Sequence, residues 1–557
     1  MKKLNLNWVT EIIGEEYRDW KKGDIVTIQA QTGTGKTYFI TGDKTHDGLI
    51  DFMDEYEKMV YICNRTELKR QIKLDLLKKF NKELPYQKDA NGNLILDSNN
   101  RPILDNGALD NITQINKVVV TSYHAISDGK LENIYSNADY NLDEFNYIIA
   151  DECHFFMNDA GFNQKSYLAL EELVMTNHRN AVKIFISATM DEVKSILNKQ
   201  LENQRDNLFG DAKNFKIYDY TTGIDYSYLN IGYFKNIKDI GQLIKNDRTD
   251  EKWMVFVTSK KSGGELYNQL QEYKISSSFI YSNMSNMEKK RITADSRFDC
   301  KVLISTKCLD NGINIKDSKV KNMVVMSYDK TTFIQEIGRV RFKITEAPTI
   351  NLYIPMLYKK TFLGKIVDNY NPKIEDINLF CDNIKGFQRK YNNDTNKIPV
   401  DIFYLSKNND WKLNILGVAR VHRDKDFASQ MVDDFNNNEF AYIEQQLEWL
   451  KLEDTFNKTN LIEGVVDIEE IESLQKYLQS IIGKKLFDDE QQIISDLVIG
   501  ELMTISKKVD YRTKKLKPTT LEKILIDQLG LKYKVSESTK ETKGEKRGKR
   551  YIIITKM

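Results

Sequence analysis

Short apolar runs alternate with helical patterns over the first 200 residues of the chain. The runs span residues 25–28, 59–63, 118–120, 147–150 and 182–186, and each is rich in β-branched or aromatic residues. Most of these runs lie 30 or more residues apart, which is the spacing of strands joined by crossover helices. The pattern predicts an α/β domain with a parallel sheet covered by helices. A turn-rich stretch over 88–102 predicts a hairpin insertion.

A second series of apolar runs begins after about residue 230. These runs span residues 253–257, 278–281, 301–304, 322–326 and 349–354 and predict a second α/β domain of similar size. Two sheets in tandem imply a cleft between them, which is a common place for a ligand. Beyond residue 357 the pattern changes. Two strands are predicted within 403–421, and amphipathic helices over 440–450 and 468–478.

The strongest chemical signal is the segment Ala30-Gln-Thr-Gly-Thr-Gly-Lys-Thr37, between the first predicted strand and a helical pattern. Glycines let backbone amides turn inward around a phosphate, and a helix N-terminus adds unpaired N–H groups. The spacing predicts that Lys36 reaches the β- and γ-phosphates of ATP and that Thr37 holds Mg²⁺. The nucleotide-binding candidates are Thr32, Gly33, Thr34, Gly35, Lys36 and Thr37. The alternative is a glycine-rich turn with an unrelated lysine, since the first position is alanine rather than glycine.

The second signal is Tyr147-Ile-Ile-Ala-Asp-Glu-Cys-His154, where an apolar run ends in two carboxylates. Parallel α/β sheets bind ligands at the carboxyl ends of their strands. We expect Asp151 to bind the nucleotide through Mg²⁺, and Glu152 to orient and deprotonate a water. An N-cap or a surface loop is the alternative interpretation of either residue alone.

Together, these two motifs resemble those of the superfamily-two helicases of the DExH type. The resemblance implies two tandem RecA-like domains, ATP and Mg²⁺ as cofactors, and nucleic acid as partner. It also implies that His154 and the segment Ser187-Ala-Thr189 couple the nucleotide site to the nucleic-acid path, with Ser187 and Thr189 as the candidates. The segments 64–71 and 120–124 resemble motifs that contact the nucleic-acid backbone, with Arg65 and Thr121 as candidates.

In the second domain, residues 302–313 resemble the family's motif five, with Thr306 at the nucleic-acid backbone and Gly312 allowing close approach to the cleft. The segment Gln335-Glu-Ile-Gly-Arg-Val-Arg341 resembles motif six. It implies that Gln335 senses water or the γ-phosphate and that Arg339 neutralises charge during phosphoryl transfer. Arg341 stands two residues further on, whereas most members place the second arginine three residues on. Either the helix ends near residue 340, or Arg339 alone reaches the phosphates.

Composition fits a multidomain protein outside the membrane. At 557 residues, about three to five domains are expected. No apolar run reaches 18 residues, and five scattered cysteines without a C-x-x-C pair favour a reducing cytoplasm. We predict an N-terminal helical segment (1–21), an ATP-binding RecA-like domain (22–225), a second RecA-like domain (226–356), a mixed accessory region (357–500) and a basic module (501–557).

The C-terminal module carries most of the charge asymmetry. From residue 501 onward there are 16 Lys and Arg against 7 Asp and Glu, while the whole chain has a net charge of only +1. A helix over 521–530, strands over 531–535 and 549–555, and a basic loop between them resemble a winged helix. We therefore expect Arg547 and its basic neighbours to lie near nucleic-acid phosphates. A small structural hairpin with a charged loop is the alternative.

The function predicted from these features is that of an ATP-dependent helicase or translocase acting on nucleic acid, with DNA favoured over RNA as the substrate. The alternative is an ATP-regulated initiator that binds an origin or another specific site, as in the origin-binding helicases that the Gly-Arg-Val-Arg segment resembles. That alternative implies replication or mobile-element proteins as partners. No nuclease metal cluster or methyltransferase loop is visible in the sequence, which disfavours a complete restriction enzyme.

Overall fold

The structure is a computed structural model of the chain. It describes residues 2–43, 46–96, 100–132, 141–161, 163, 166–175, 180–206, 215–281, 288, 292, 295–307, 314–391, 394–406, 408–462, 468–505, 515–544 and 546–557.

The first lobe is built on a seven-stranded sheet in the order β3-β4-β2-β5-β6-β1-β7. Its strands are β1 (Ile25–Gln29), β2 (Met59–Cys63), β3 (Gln114–Ile115), β4 (Val118–Ser122), β5 (Tyr147–Asp151), β6 (Val182–Ser187) and β7 (Ile217–Thr221). All neighbours are parallel except β3, which runs antiparallel to β4. The five predicted strands are therefore present, each within two residues of its predicted bounds.

Helices cover both faces of this sheet. They are Val9–Ile13, Lys36–Thr41, Leu49–Phe52, Thr66–Lys79, Asn106–Asn111, Tyr123–Glu132, Phe155–Asn158, Ser166–Leu170 and Asp191–Asp206. Along β5, Tyr147 and Ile149 enter one apolar cluster, whereas Ile148 and Ala150 enter another on the opposite face. A strand buried on both faces needs a continuous apolar sequence, which is why this run was recognisable. The predicted hairpin insertion contains antiparallel bridges, including one between Lys88 and Leu94.

The second lobe has a sheet in the order β10-β11-β9-β12-β13-β8-β16. Its strands are β8 (Leu229–Phe234), β9 (Lys252–Phe256), β10 (Ser277–Ile280), β11 (Val302–Ser305), β12 (Val320–Val325), β13 (Ile350–Pro355) and, later in the chain, β16 (Leu461–Ile462). Its helices are Ile237–Asn246, Lys260–Glu272 and Lys330–Ile337. The α/β class with two tandem RecA-like sheets is thus confirmed.

The accessory region packs against both lobes. It contains helices Lys359–Lys365, Asn371–Asp382, Ile384–Tyr391, Ile415–Asp434 and Ala441–Leu450, and the hairpin of β14 (Phe403–Leu405) and β15 (Trp411–Leu413). On the first-lobe side, Arg420 donates to the carbonyl oxygens of Met157 (3.1 Å) and Asn158. On the second-lobe side, the Tyr442 hydroxyl donates to the carbonyl oxygens of Ser327 and Tyr328, at 3.1 Å each.

One prediction in this region was wrong. Strand structure was predicted as far as residue 421, but β15 ends at Leu413 and a 20-residue helix begins at Ile415. Asn414 is the N-cap residue, and its side-chain amide donates to the carbonyl oxygen of Asp401 at 3.2 Å. This turn fixes where the chain leaves the hairpin and enters the helix.

The described C-terminal residues include three α-helices and small antiparallel strand pairs. The helices are Ile468–Ile481, Asp488–Ile505 and Pro518–Lys523, and the strands are β17 (Tyr533–Val535), β18 (Thr539–Lys540), β19 (Arg550–Tyr551) and β20 (Ile554–Lys556). A single apolar cluster runs from Leu474 to Ile554. This core starts before the boundary predicted at residue 501.

The chain divides into two compact units. One comprises residues 1–231, 251–263 and 278–457, and the other comprises 232–250, 264–277 and 458–557.

None of the described helices combines the length and apolar character needed to cross a membrane. The described cysteines are Cys63, Cys153, Cys300 and Cys381, and all four are free thiols.

Packing of the accessory region predicts a glycine requirement at position 417. A Cβ added to Gly417 would overlap the carbonyl oxygen of Asp401, so Gly417→Ala should destabilise the protein by about 1–3 kcal/mol. Gly364 is the matched control, because its added Cβ would meet only Asp368 Oδ2 at 3.8 Å. Thermal unfolding should show a lower midpoint for Gly417→Ala and no loss for Gly364→Ala. Equal midpoints would contradict the packing described.

Candidate active site

The loop between β1 and the helix Lys36–Thr41 has the backbone shape of an anion site. Gly33 and Gly35 have φ angles of 90° and 85°, which glycine adopts without strain. The Thr34 hydroxyl is buried and donates to the carbonyl oxygen of Gln31 at 2.7 Å, which fixes the loop from inside. Successive amides in such a turn form a concave nest that suits phosphate oxygens.

The side chain of Lys36 forms an ion pair. Its ammonium Nζ lies 2.9 Å from Glu152 Oε1, and both side chains are largely buried. Burial alone would raise the pKa of Glu152, but Lys36 and His154 outweigh it and hold that pKa well below its usual value. The carboxylate is therefore ionised. It pairs with the Lys36 ammonium, the cation that a phosphate would need.

Asp151 lies at the end of β5 and is 3% exposed. Its Oδ1 accepts the Glu152 backbone N–H at 2.9 Å, and its Oδ2 accepts the Tyr61 hydroxyl at 2.7 Å. Burial and the neighbouring Glu152 raise the pKa of Asp151. The Asp151 carboxylate and the Thr37 hydroxyl offer oxygen donors, which are the ligand type that Mg²⁺ prefers, so these residues fit that ion.

One buried cluster contains the three residues predicted to couple the nucleotide site to the nucleic-acid path, His154, Ser187 and Thr189. His154 Nδ1 lies 3.2 Å from Ser187 Oγ and 3.2 Å from Glu152 Oε2. The Ser187 hydroxyl in turn accepts the Thr189 backbone N–H at 3.1 Å. A continuous polar path thus joins the carboxylate Glu152 to the end of β6.

The second lobe reaches this carboxylate through the helix Lys330–Ile337. Gln335 Nε2 donates to Glu152 Oε2 at 3.3 Å. Arg339 is 6% exposed and donates through Nη2 to Gln335 Oε1 at 2.5 Å and through Nε to the Gln335 carbonyl oxygen at 3.1 Å. A Cβ added at Gly338 would lie 2.6 Å from Thr32 Oγ1, so the two lobes touch at the phosphate loop.

The position of Arg341 follows from where this helix ends. The last helical residue is Ile337, and Val340 forms a parallel bridge with Ile315. Arg341 Nε donates to Asn314 Oδ1 at 2.7 Å, and burial together with Arg339 lowers the pKa of Arg341. The helix therefore ends before both arginines, three residues short of residue 340, and the role of Arg341 at the phosphates stays a prediction.

Asn314 continues this contact across to the first lobe. Its Nδ2 donates to Gln71 Oε1 at 3.2 Å, and Gln71 lies on the helix Thr66–Lys79. Asn314, Gln71 and Tyr61 were not predicted from the sequence. Tyr61 alone left a signal, because it is the only side chain with a hydroxyl in the apolar run 59–63.

The residues predicted to contact nucleic acid differ in their exposure. Arg65 Nη2 lies 3.3 Å from Asp159 Oδ1, and 32% of its side chain is exposed. Thr121 is buried, Thr306 follows β11 and is half-buried, and Arg547 is exposed on the loop between β18 and β19. Gly312 lies outside the described residues. The roles of these residues stay predictions.

Two family models match the chain: "Type III restriction enzyme, res subunit" over residues 4–192 and "Helicase conserved C-terminal domain" over residues 235–343.

Individual relatives share little sequence identity with the chain. ATP-dependent RNA helicase DBP3 of Candida albicans is 21% identical over 323 residues, which cover 57% of this chain and 53% of that protein. Probable ATP-dependent RNA helicase DDX4 of Homo sapiens is 24% identical over 214 residues, covering 38% of this chain and 29% of that protein. The chain thus spans about half, or less, of these two relatives.

Among solved structures, S. cerevisiae Dbp5 bound to RNA and ADP BeF3 matches with a TM-score of 0.40 and 20% identity, covering 59% of this chain and 79% of that one.

The Lys36–Glu152 pair predicts an effect on ligand affinity. Glu152→Gln removes the charge that competes for Lys36, so ATP should bind more tightly, by about tenfold for roughly 1.4 kcal/mol. Gln335→Ala is the control, because it keeps the ion pair and removes only the side-chain contacts of Gln335 with Glu152 and Arg339. Titration calorimetry measures both. Weaker binding by Glu152→Gln would show that the pair does not oppose the ligand.

Proposed function

The chain belongs to the superfamily-two helicases, and on that premise we propose that it is an ATP-driven nucleic-acid helicase or translocase. The observation that carries this proposal is the hydrogen bond from Gln335 to Glu152. It joins the motif-six helix of one lobe to the carboxylate beside the phosphate loop of the other. Such an arrangement lets a bound nucleotide act on both lobes at once.

Each residue of the cleft has a part in the proposed hydrolysis. Lys36 exchanges Glu152 for the phosphate oxygens of ATP, which frees the carboxylate to orient and deprotonate a water. Arg339, one turn beyond Gln335, neutralises the charge that grows on the transferred phosphoryl group. When bound, Mg²⁺ supplies further charge neutralisation there, and Thr37 and Asp151 are the residues that would hold it.

The buried path from Glu152 through His154 to Ser187 and Thr189 supports coupling to nucleic acid. A change in the partners of Glu152 alters the partners of His154 and so the end of β6. We propose that cycles of closure and reopening then move two backbone-binding surfaces along a strand. Arg65 and Thr121 in the first lobe and Thr306 and Gly312 in the second are the proposed contacts.

The finer proposal is that the strand is DNA. It is supported by the DExH form of the carboxylate motif and by the match to a restriction-enzyme subunit family over residues 4–192. DBP3 and DDX4, in contrast, are named as RNA helicases. RNA is therefore the comparison that the experiments need.

The catalytic assignment predicts that Lys36→Ala and Glu152→Gln each lower nucleic-acid-stimulated ATP turnover by at least about 100-fold, since each removes a group that acts in the transition state. Phosphate release is measured with single-stranded DNA, duplex DNA and RNA side by side. Lys82→Ala, an exposed lysine outside the cleft, is the control. Undiminished turnover in both cleft variants would reject the assignment, whereas stimulation by RNA alone would reject only the choice of DNA.

A second candidate function is site binding by the C-terminal module. Its loop between β18 and β19 exposes Lys543, Lys546, Arg547 and Lys549, next to the exposed Arg550 on β19. Basic side chains grouped on one loop are suited to the phosphates of duplex DNA. In this function ATP would drive remodelling or recruitment of replication or mobile-element proteins at a bound site, with little unwinding.

This candidate predicts a change in salt dependence. A triple variant, Lys543→Ala, Arg547→Ala and Lys549→Ala, should bind duplex DNA more weakly and reduce the slope of log affinity against log salt by about three. Point changes are preferred to truncation, because the apolar core of the module extends to Ile554.

Lys385, Lys412 and Lys451, exposed lysines of the accessory region, provide a matched triple-alanine control. Equal slopes in the two triple variants would remove the module from the binding surface.

A further inference from the structure

Tyr61 occupies an unusual place for a tyrosine. It lies in the middle of β2, paired in register with Val120 on β4 and Ile149 on β5, and is 1% exposed. Its neighbours in the same apolar cluster include Ile149 and the residues Phe39 and Ile40 of the helix that follows the phosphate loop. A phenylalanine would fill this position equally well, so the hydroxyl is not needed for packing.

The hydroxyl contacts one of the two residues assigned to Mg²⁺. It donates to Asp151 Oδ2 at 2.7 Å, and both side chains are buried.

The contact also limits the orientation of the Asp151 carboxylate. Asp151 is held on both oxygens, by Tyr61 on Oδ2 and by the Glu152 backbone N–H on Oδ1, and cannot rotate. Partners that fix metal ligands in this way typically contribute about 10- to 100-fold to metal affinity.

We propose that Tyr61 is a positioning residue that sets the affinity of this site for Mg²⁺ together with a nucleotide. The proposal rests on the proposed function, since it assumes that a nucleotide binds at the phosphate loop. It adds a residue from the second strand to the site, outside the two motifs that mark it in the sequence.

The test compares two tyrosines that contact the same residue. Tyr61→Phe removes the bond to the Asp151 carboxylate, whereas Tyr123→Phe removes a bond of 2.9 Å to the Asp151 backbone oxygen. Binding of a fluorescent ADP is followed by anisotropy while Mg²⁺ is titrated. We expect Tyr61→Phe to raise the Mg²⁺ concentration at half-saturation by about 10- to 100-fold, with Tyr123→Phe close to wild type. Affinity for the nucleotide without Mg²⁺ should be the same in all three proteins.

The outcomes distinguish a failure of the proposed function from a failure of the role proposed for Tyr61. If the wild-type protein binds no nucleotide, the proposed function fails. If the wild type binds in a Mg²⁺-dependent way and Tyr61→Phe has the same dependence, or shifts no more than Tyr123→Phe, the role of Tyr61 is overturned.

Thermal unfolding checks that both variants fold. Should Tyr61→Phe not fold, 3-fluorotyrosine at position 61 keeps the shape and changes only the strength of the hydroxyl as a hydrogen-bonding group. A shift in Mg²⁺ dependence larger than that from 3-fluorotyrosine at position 123 supports the proposal, and an unchanged dependence contradicts it.

Discussion

The ion pair between Lys36 and Glu152 is the interaction on which the cleft depends. Two opposite charges that are largely buried stabilise each other only while they stay paired, since removing either leaves the other without compensation. Glu152 is also the residue that the second lobe contacts through Gln335 and that His154 contacts within the first lobe. Whatever displaces Glu152 from Lys36 must therefore act on both lobes and on the buried path to β6.

Arg339 fits this scheme because of where its helix ends. Were it on the solvent side of the second lobe, no small closure could bring it to the phosphate loop. Instead it is buried and bonded to Gln335, the residue that contacts Glu152. Arg341 is bonded to Asn314, which connects to Gln71 of the first lobe. Arg339 thus connects through Gln335 to Glu152, and Arg341 connects through Asn314 to the helix that begins at Thr66.

The accessory region gives these contacts a second connection. Arg420 is bonded to the carbonyl end of the helix Phe155–Asn158, directly after the carboxylate motif, while Tyr442 is bonded directly before the helix that carries Gln335. Relative movement of the lobes must therefore strain or shift the helices Ile415–Asp434 and Ala441–Leu450. The accessory region is therefore coupled to movements of the cleft, although it contributes no residue to the ion pair.

Particular elements show which parts of the structure could be predicted from the sequence. β1 and β5 are buried on both faces, so their continuous apolar runs and the motifs that follow them could be located. β7 could not, because it alternates between exposed and half-buried positions and its sequence, Ile-Tyr-Asp-Tyr-Thr, lacks such a run. The contact of Tyr61 with Asp151 depends on strand order and register, which local patterns do not contain. The partners of Arg341 depended on the residue at which a helix ends.

The most direct measurement is a crystal structure of the chain with Mg²⁺ and a non-hydrolysable ATP analogue. The account predicts that Lys36 has left Glu152 for the phosphates and that the Arg339 guanidinium contacts the γ-phosphate from the second lobe. An analogue bound while Lys36 still pairs with Glu152, with Arg339 directed away from the phosphates, would contradict it.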